Sequence, residues 1–425
     1  MLPQSAHPDV ARILWAKALR AFADGFVSIL LPAYLLALGL APLEIGTIAT
    51  ATLLGSAAMT LAVGFIAGRA GLRALLIGAT VLMFATGLGF AGLTSFWPLL
   101  LIASVGTLNP SSGDVSVFAP VEQTLLAHAV GDADRTALFA RYSLVGALSG
   151  ALGTLFASAP ELIVARFAVP QVAALQAMFV LYAAIGLAAG LIYRSIAPWR
   201  IAGDTAARPA LGPSRRIVYR LAALFSVDSF GGGFLVQSIL ALWLFQRFDL
   251  SLTAAANIFF WSNVLTALSY LAAAPIARRI GLINTMVFTH LPANLCLVAI
   301  PFATALWSVI GLLLVRSLLS QMDVPTRTSY VMAVVTPPER PAAASVTAVP
   351  RSLAAAASPT LAGYLLSLSS FGWPLLAGGA VKIAYDLALL AMFRHVRPPE
   401  ERRMTTPAAP PRPIPRERHG RTWMR

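Results

Sequence analysis

The chain alternates between apolar stretches of roughly twenty residues and short polar connections, and it does so twelve times. A helix needs about 20 such residues to cross a hydrocarbon core of about 30 Å. The stretches fall at 13–38, 44–66, 73–94, 97–127, 135–159 and 170–193, then at 217–245, 252–274, 282–303, 305–334, 341–368 and 372–394. Charged residues make up 11% of the 425-residue chain, against about a quarter in a soluble domain. With a mean hydropathy of +0.77, the chain has too little polar surface to cover its apolar side chains in water. The sequence therefore reads as an all-α membrane protein with 12 transmembrane helices.

The formal net charge of +14 lies mainly in the connections and the tail. It forms no aromatic-interleaved patch of the kind that binds nucleic acid, so no nucleic-acid partner is expected. One set of connections carries Arg69 and Arg73, Arg135, the group Arg194, Arg200, Arg208, Arg215 and Arg216, the pair Arg278 and Arg279, and Arg340. Both termini, with Arg12, Lys17 and the basic tail, belong with them. The opposite connections hold only Arg166 and Arg247. The positive-inside rule then places both termini and the central connection in the cytoplasm. Lys17 and Lys382 are the only lysines. That arginine and alanine bias is typical of a GC-rich bacterial genome, so a multi-pass protein of the bacterial inner membrane is expected. The N-terminus lacks a short apolar stretch with a small-residue cleavage site, and the first segment reads as a retained helix.

The chain repeats itself. Gly64–Leu72, after the second segment, matches Ala274–Leu282, after the eighth. Pro120–Arg135 matches Pro325–Arg340, a register that pairs Val130 with Val335, Asp134 with Glu339 and Arg135 with Arg340. Asp24 and Asp228 fall at similar depths in the first and seventh segments. This divides the chain into a six-helix bundle over 1–193, a cytoplasmic linker over 194–216, a second six-helix bundle over 217–396, and a disordered Pro- and Arg-rich tail over 397–425. Parallel six-helix repeats allow two bundles to rock about a central site.

Ionisable residues within a membrane span cost roughly 2.5–3.5 kcal/mol each on insertion scales, so each needs a cavity or a partner. The spans hold Asp24, Asp114, Glu122, Arg141, Asp228, Arg316, Asp323, Arg327, Arg351, Lys382 and Asp386. Lys382 and Asp386 lie one helical turn apart and read as an intrahelical ion pair. Asp24 and Asp228 either face a cavity or pair with Arg20 or helix-end backbone. A buried carboxylate facing each side in turn could couple transport to protons. Gly231–Gly233 after Asp228 either unwind the helix or allow close packing. The stretch Asn109-Pro110-Ser111-Ser112-Gly113-Asp114 is too polar to face lipid and marks the path of a solute. Asp24, Asn109, Asp114, Asp228 and Arg316 are the candidates for substrate or proton coupling.

At this point the sequence resembles the major facilitator superfamily, over residues 10–396. In that family the connection after the second helix reads Gly-x-x-x-Asp-Arg-x-Gly-Arg-Arg/Lys. Gly64, Arg69, Gly71 and Arg73 match it, while Gly68 stands at the aspartate position and Arg278 stands there in the second copy. Gly146, Gly150 and Gly153 resemble a diluted form of the glycine-rich motif of drug exporters, with Ala151 where a proline is usual. The resemblance implies a cytoplasmic gate between the halves, formed by Glu122 with Arg351 or Arg327 and by Asp323 with Arg141.

No Walker-type phosphate loop and no His-Glu-x-x-His pattern is present, so neither ATP binding by that route nor intramembrane metal catalysis is indicated. Cys296 is the only cysteine, which excludes internal disulfides and cysteine-based metal clusters. The expectation is a non-enzymatic carrier without cofactor or metal, monomeric in the bilayer, moving a small solute by alternating access with protons as its other partner. Proton-coupled efflux is the leading form, with import by symport as the alternative. A membrane-embedded enzyme or a non-transporting sensor is the reading from another class.

Overall fold

The computed structural model describes residues 7–66, 71–111, 117–129, 132–197, 211–336 and 339–395. The linker over 198–210, the tail over 397–425, and Gly68, Arg69 and Asp114 lie outside the described residues. Those that are described are helical or in short connections. The first half contains α1 (Asp9–Ala37), α2 (Pro42–Ile66), α3 (Leu72–Gly92), α4 (Phe96–Val105), α5 (Phe118–His128), α6 (Asp132–Phe156), α7 (Ala159–Phe167) and α8 (Gln171–Arg194). The second contains α9 (Arg215–Gly233), α10 (Gln237–Phe248), α11 (Leu252–Ile280), α12 (Leu282–Ala299), α13 (Leu306–Leu319), α14 (Asp323–Val334), α15 (Arg340–Leu368) and α16 (Trp373–Phe393).

Ten stretches among the described residues are long and apolar enough to cross a membrane. Two of the expected segments fall outside the ten. The segment at 97–127 splits into α4 and α5 around the polar stretch that contains Asn109. The segment at 341–368 forms one full-length helix, α15, rich in alanine and interrupted by Pro350 and Pro359. The connections follow local chemistry. Gly39 and Gly281 take φ of +81° and +88°, a region that glycine enters without a Cβ clash, and they turn α1 into α2 and α11 into α12. The Ser251 hydroxyl accepts from the Ala254 amide and caps α11.

One buried apolar cluster joins helices of both halves and a second lies within the second half. The seam between halves is made mainly by α2 against α15 and α6 against α11, with α10 against α1. One end of the molecule carries the start of α1 and the end of α16; we call it the terminal end. The hydrogen bonds that cross the seam lie at mid-depth or toward the other end. Glu161, after α6, accepts from the Leu252 and Thr253 amides at 2.6 and 3.1 Å. Thr360 of α15 donates to the Thr50 hydroxyl of α2 at 2.8 Å. Gln237 donates to Ser28 at 3.0 Å, and the Ser238 amide donates to the Pro110 carbonyl at 3.0 Å. At the terminal end, α5 packs on α1, α3 and α6, and α14 packs on α11, α12 and α15. The main partners of α5 thus belong to its own half, and most of those of α14 do too. Among the described residues, the hydrogen bonds that join the halves lie at mid-depth and at the far end, and none lies at the terminal end.

The far-end seam depends on two glycines. A Cβ on Gly46 would stand 2.3 Å from the Pro359 carbonyl oxygen, and one on Gly363 would stand 2.3 Å from that of Pro42. Replacing Gly363 by Val is expected to force α2 from α15, an overpacking cost of about 1–3 kcal/mol, read as a lower melting temperature of the purified protein.

A second local device lies at the terminal end. Glu339 accepts from the Ser214 hydroxyl at 2.7 Å, from the Thr336 hydroxyl, and from the Gly212 amide, docking the end of the central connection onto the start of α15. These bonds favour the carboxylate and hold its pKa down at about 2, from an ordinary 4.5. The dock is therefore complete above pH 4.5 and is lost only as pH falls through about 2. Amide hydrogen exchange over residues 211–216 is expected to be unchanged, after correction for intrinsic rates, between pH 8 and 6, and to accelerate in Glu339→Ala at both.

Candidate functional site

The buried charges form one cluster in each half. In the first, Glu122 of α5 is fully buried. Arg20 of α1 pairs with it through Nη2. The Tyr142 hydroxyl of α6 and the Tyr193 hydroxyl of α8 donate to it at 2.7 and 2.6 Å. Arg20 Nε donates to the Tyr193 hydroxyl at 3.1 Å, and its guanidinium lies 3.9 Å from the centre of the Phe118 ring. Four helices thus meet on one carboxylate. Arg20 might have served Asp24, one turn along its own helix; the structure gives it to Glu122, whose second oxygen and two phenols complete its shell. Asp24 is half-buried and close enough to Tyr182 for an electrostatic interaction.

In the second half the centre is Asp228 of α9. Lys382 Nζ of α16 donates to Oδ1 at 2.6 Å, and Arg327 Nη2 of α14 donates to Oδ2 at 2.8 Å. The same Nη2 also bonds Asp323, one turn earlier on α14. Asp386 takes different partners: His290 Nδ1 at 2.9 Å and Asn294 Nδ2 at 2.9 Å, both from α12. His290 Nε2 stands 3.9 Å from Asp228, so the imidazole lies between the two carboxylates. The expected Lys382–Asp386 pair is therefore corrected. Each side chain has a better partner on a neighbouring helix, where it is shielded from water, than along its own helix surface.

Gly231–Gly233 serve both purposes considered for them. A Cβ on Gly231 would lie 2.9 Å from Lys382 Cγ and 3.0 Å from the Gly378 carbonyl oxygen, so the glycine lets α16 approach and Lys382 reach Asp228. The helix then breaks after Gly233, between α9 and α10. Asn109 is buried in the break between α4 and α5, its Oδ1 accepting from the Ser111 amide and hydroxyl at 3.0 and 2.8 Å. Gly64 lies in the last turn of α2, and Gly71 and Arg73 lie at the start of α3.

The two clusters occupy equivalent places. Gly25 of α1 packs on Gly150 and Gly153 of α6, and Gly233 of α9 packs on Ala355 and Ser358 of α15. The α9 position lies 208 residues beyond its α1 counterpart, and the α15 positions lie 205 beyond theirs. The first offset carries Arg20 onto Asp228, and the second carries Glu122 onto Arg327. The same ion pair is built twice, with its charges exchanged.

Five residues expected at a gate sit as follows. Glu122 and Arg20 pair in the first half, and Asp323 and Arg327 pair in the second. Arg351 donates from Nε to the Ser229 hydroxyl at 3.2 Å. Arg141 Nη1 is buried without a hydrogen-bond partner, as is Arg316 Nε, which lies near Cys296. In this conformation neither Glu122 nor Asp323 reaches the other half. Sequence reading missed Tyr142, Tyr193 and Asn294 as members of the clusters. Phenols and amides carry no formal charge, and within apolar spans they read as ordinary packing residues.

Residues 13–320 match the family model of the Major Facilitator Superfamily. The chain belongs to that superfamily. This facilitator is 23% identical over 418 residues to a Saccharomyces cerevisiae protein described as an uncharacterized membrane protein, with 90% of this chain and 93% of the relative covered. Its fold is similar to the crystal structure of the nucleoside transporter NupG, with a TM-score of 0.70 at 13% identity, covering 92% of this chain and all of the other. It is also similar to a bacterial homologue of the human lysosomal transporter Spinster, with a TM-score of 0.68 at 14% identity, covering 90% and 93%. A third likeness is to the human organic anion transporter MFSD10, with a TM-score of 0.61 at 17% identity, covering 90% and 100%. The facilitator is thus a multi-pass membrane transporter and not an enzyme.

Asp228 holds two buried cations at once, and its removal should leave Lys382 without a carboxylate while Arg327 keeps Asp323, at a cost of about 3–5 kcal/mol. Asp228→Ala is expected to lower the melting temperature markedly, whereas Asp228→Ala combined with Lys382→Met should recover part of the loss. Equal losses in the single and double variants would show that Lys382 does not depend on Asp228.

Proposed function

We propose that this facilitator is a secondary active transporter that carries a small solute across the membrane by alternating access, coupled to protons. The observation that carries the reading is the asymmetry of the seam. Hydrogen bonds close it at the far end, and the helices near the terminal end keep mainly to their own halves. The arginine-rich connections place the terminal end in the cytoplasm, so this conformation faces inward. The site lies between the bundles and includes Asp24, Asn109, Asp228 and Arg316, with Asp114 as the candidate outside the described residues. The bonds of Asp228 and His290 link α9, α12, α14 and α16, which supports a part for this cluster in coupling. The twelve-segment division, a bacterial inner membrane and a monomeric state complete the reading.

Outward movement is the favoured direction. The row Gly146, Gly150 and Gly153, which resembles the exporter motif, packs α6 on α1. Import by symport is the second reading, favoured by Ala151 in place of the motif's proline. Both are tested with one preparation: liposomes containing the purified protein, an internal pH-sensitive dye, and a panel of labelled solutes. Antiport predicts that solute and protons move in opposite directions, and symport predicts that they move together. Flux that ignores an imposed pH gradient would remove the proton from the proposal. Absence of flux for the whole panel would favour a sensor.

A further inference from the structure

The charges left over after pairing point to the solute. Glu122 is satisfied by Arg20 and two phenols, Asp228 by Lys382 and Arg327, Asp323 by Arg327, and Asp386 by His290 and Asn294. Arg141 and Arg351 have no carboxylate within ion-pair distance among the described residues. Arg351 has the Ser229 hydroxyl, and Arg141 keeps a buried nitrogen with no partner at all. An uncompensated guanidinium in a span is costly and calls for an anion.

Their placement is as telling as their charge. α6 and α15 belong to opposite halves, and each is a seam helix. Each also packs on the first helix of its own half, at Gly150 and at Ala355. Arg141 precedes Gly150 by nine residues and Arg351 precedes Ala355 by four. At 1.5 Å per residue, they stand about 14 and 6 Å on the terminal side of these packing points. Among the described residues, no hydrogen bond joins the halves there. When the terminal end closes, two like charges approach, neither with a carboxylate within ion-pair distance among the described residues.

We propose that the solute is an anion, bearing a carboxylate or phosphate group, and that it closes the terminal end by bridging Arg141 and Arg351. Guanidinium groups suit either anion, because their paired N–H donors match two oxygens at once. An empty carrier would stay open, held apart by repulsion, and an occupied one would close. Occupancy and closure are then linked, as an equilibrium can move only by the ligand's differential affinity for the two states. The proposal rests on the alternating-access reading and supplies its substrate class.

The test uses spin labels on Leu191→Cys and Met392→Cys, exposed positions near the terminal ends of α8 and α16, in a Cys296→Ser background. Distances are measured in liposomes with inorganic phosphate, succinate or benzoate, and with uncharged and cationic compounds as controls. One or more of the anions is expected to move the wild-type distribution from long to short, and the controls should not. Arg141→Gln, which lacks both the repulsion and one arm of the bridge, should give the same distribution with and without each anion. Arg141→Glu supplies its own partner for Arg351 and should be short with no anion added. The proposal is overturned if Arg141→Glu keeps the wild-type distance, if no anion shortens the wild type, or if the anions shorten Arg141→Gln equally. Folding of each variant is checked by its elution as a single species. Closure by anions with no flux of any solute would overturn the transport reading and leave the charge bridge standing.

Discussion

The structure depends on the cost of charge in a medium of low dielectric. A carboxylate among apolar helices must find donors, and the helices must come where the donors are. Glu122 draws α1, α5, α6 and α8 to one point, and Asp228 does the same for α9, α14 and α16. Apolar contacts alone give membrane helices little reason to choose one neighbour over another, since lipid tails are equally apolar. The buried ion pairs supply that choice. They are backed by small residues that let the backbones approach, such as Gly231 against Gly378 and Gly25 against Gly150.

The two clusters also show how a duplicated bundle keeps one architecture while changing its chemistry. Exchange of the partners, Arg20 with Glu122 in one half and Asp228 with Arg327 in the other, preserves the pair and alters its surroundings. The first half closes its shell with phenols, which carry no charge. The second adds Lys382, Asp323, Asp386 and His290, and so becomes a network of charged groups that links α9, α12, α14 and α16.

Much of the fold was legible because membrane insertion writes it into the sequence. Apolar runs placed most of the helices, and ten stretches among the described residues are long and apolar enough to cross a membrane. The polar run at Asn109 and Pro110 stood out within the fourth span, since it cannot face lipid, and the structure breaks the helix there. The side-chain partners were not legible. Lys382 and Asp386 are one turn apart, and only the positions of α9 and α12 show that each bonds elsewhere. Nothing in the spacing of Glu122, Tyr142 and Tyr193 announces that three helices bring them together.

The sequence by itself determined that the chain spans a membrane, that it is built from two related halves, and which residues carry charge into the spans. These follow from hydropathy, period and composition, which are local quantities. Tertiary structure decided which charges neutralise each other, which arginines are left over, and at which end hydrogen bonds join the halves. Those outcomes depend on distances between residues about a hundred or more positions apart, such as Arg20 and Glu122 or Lys382 and Asp228. Packing sets such distances, and no local pattern records them.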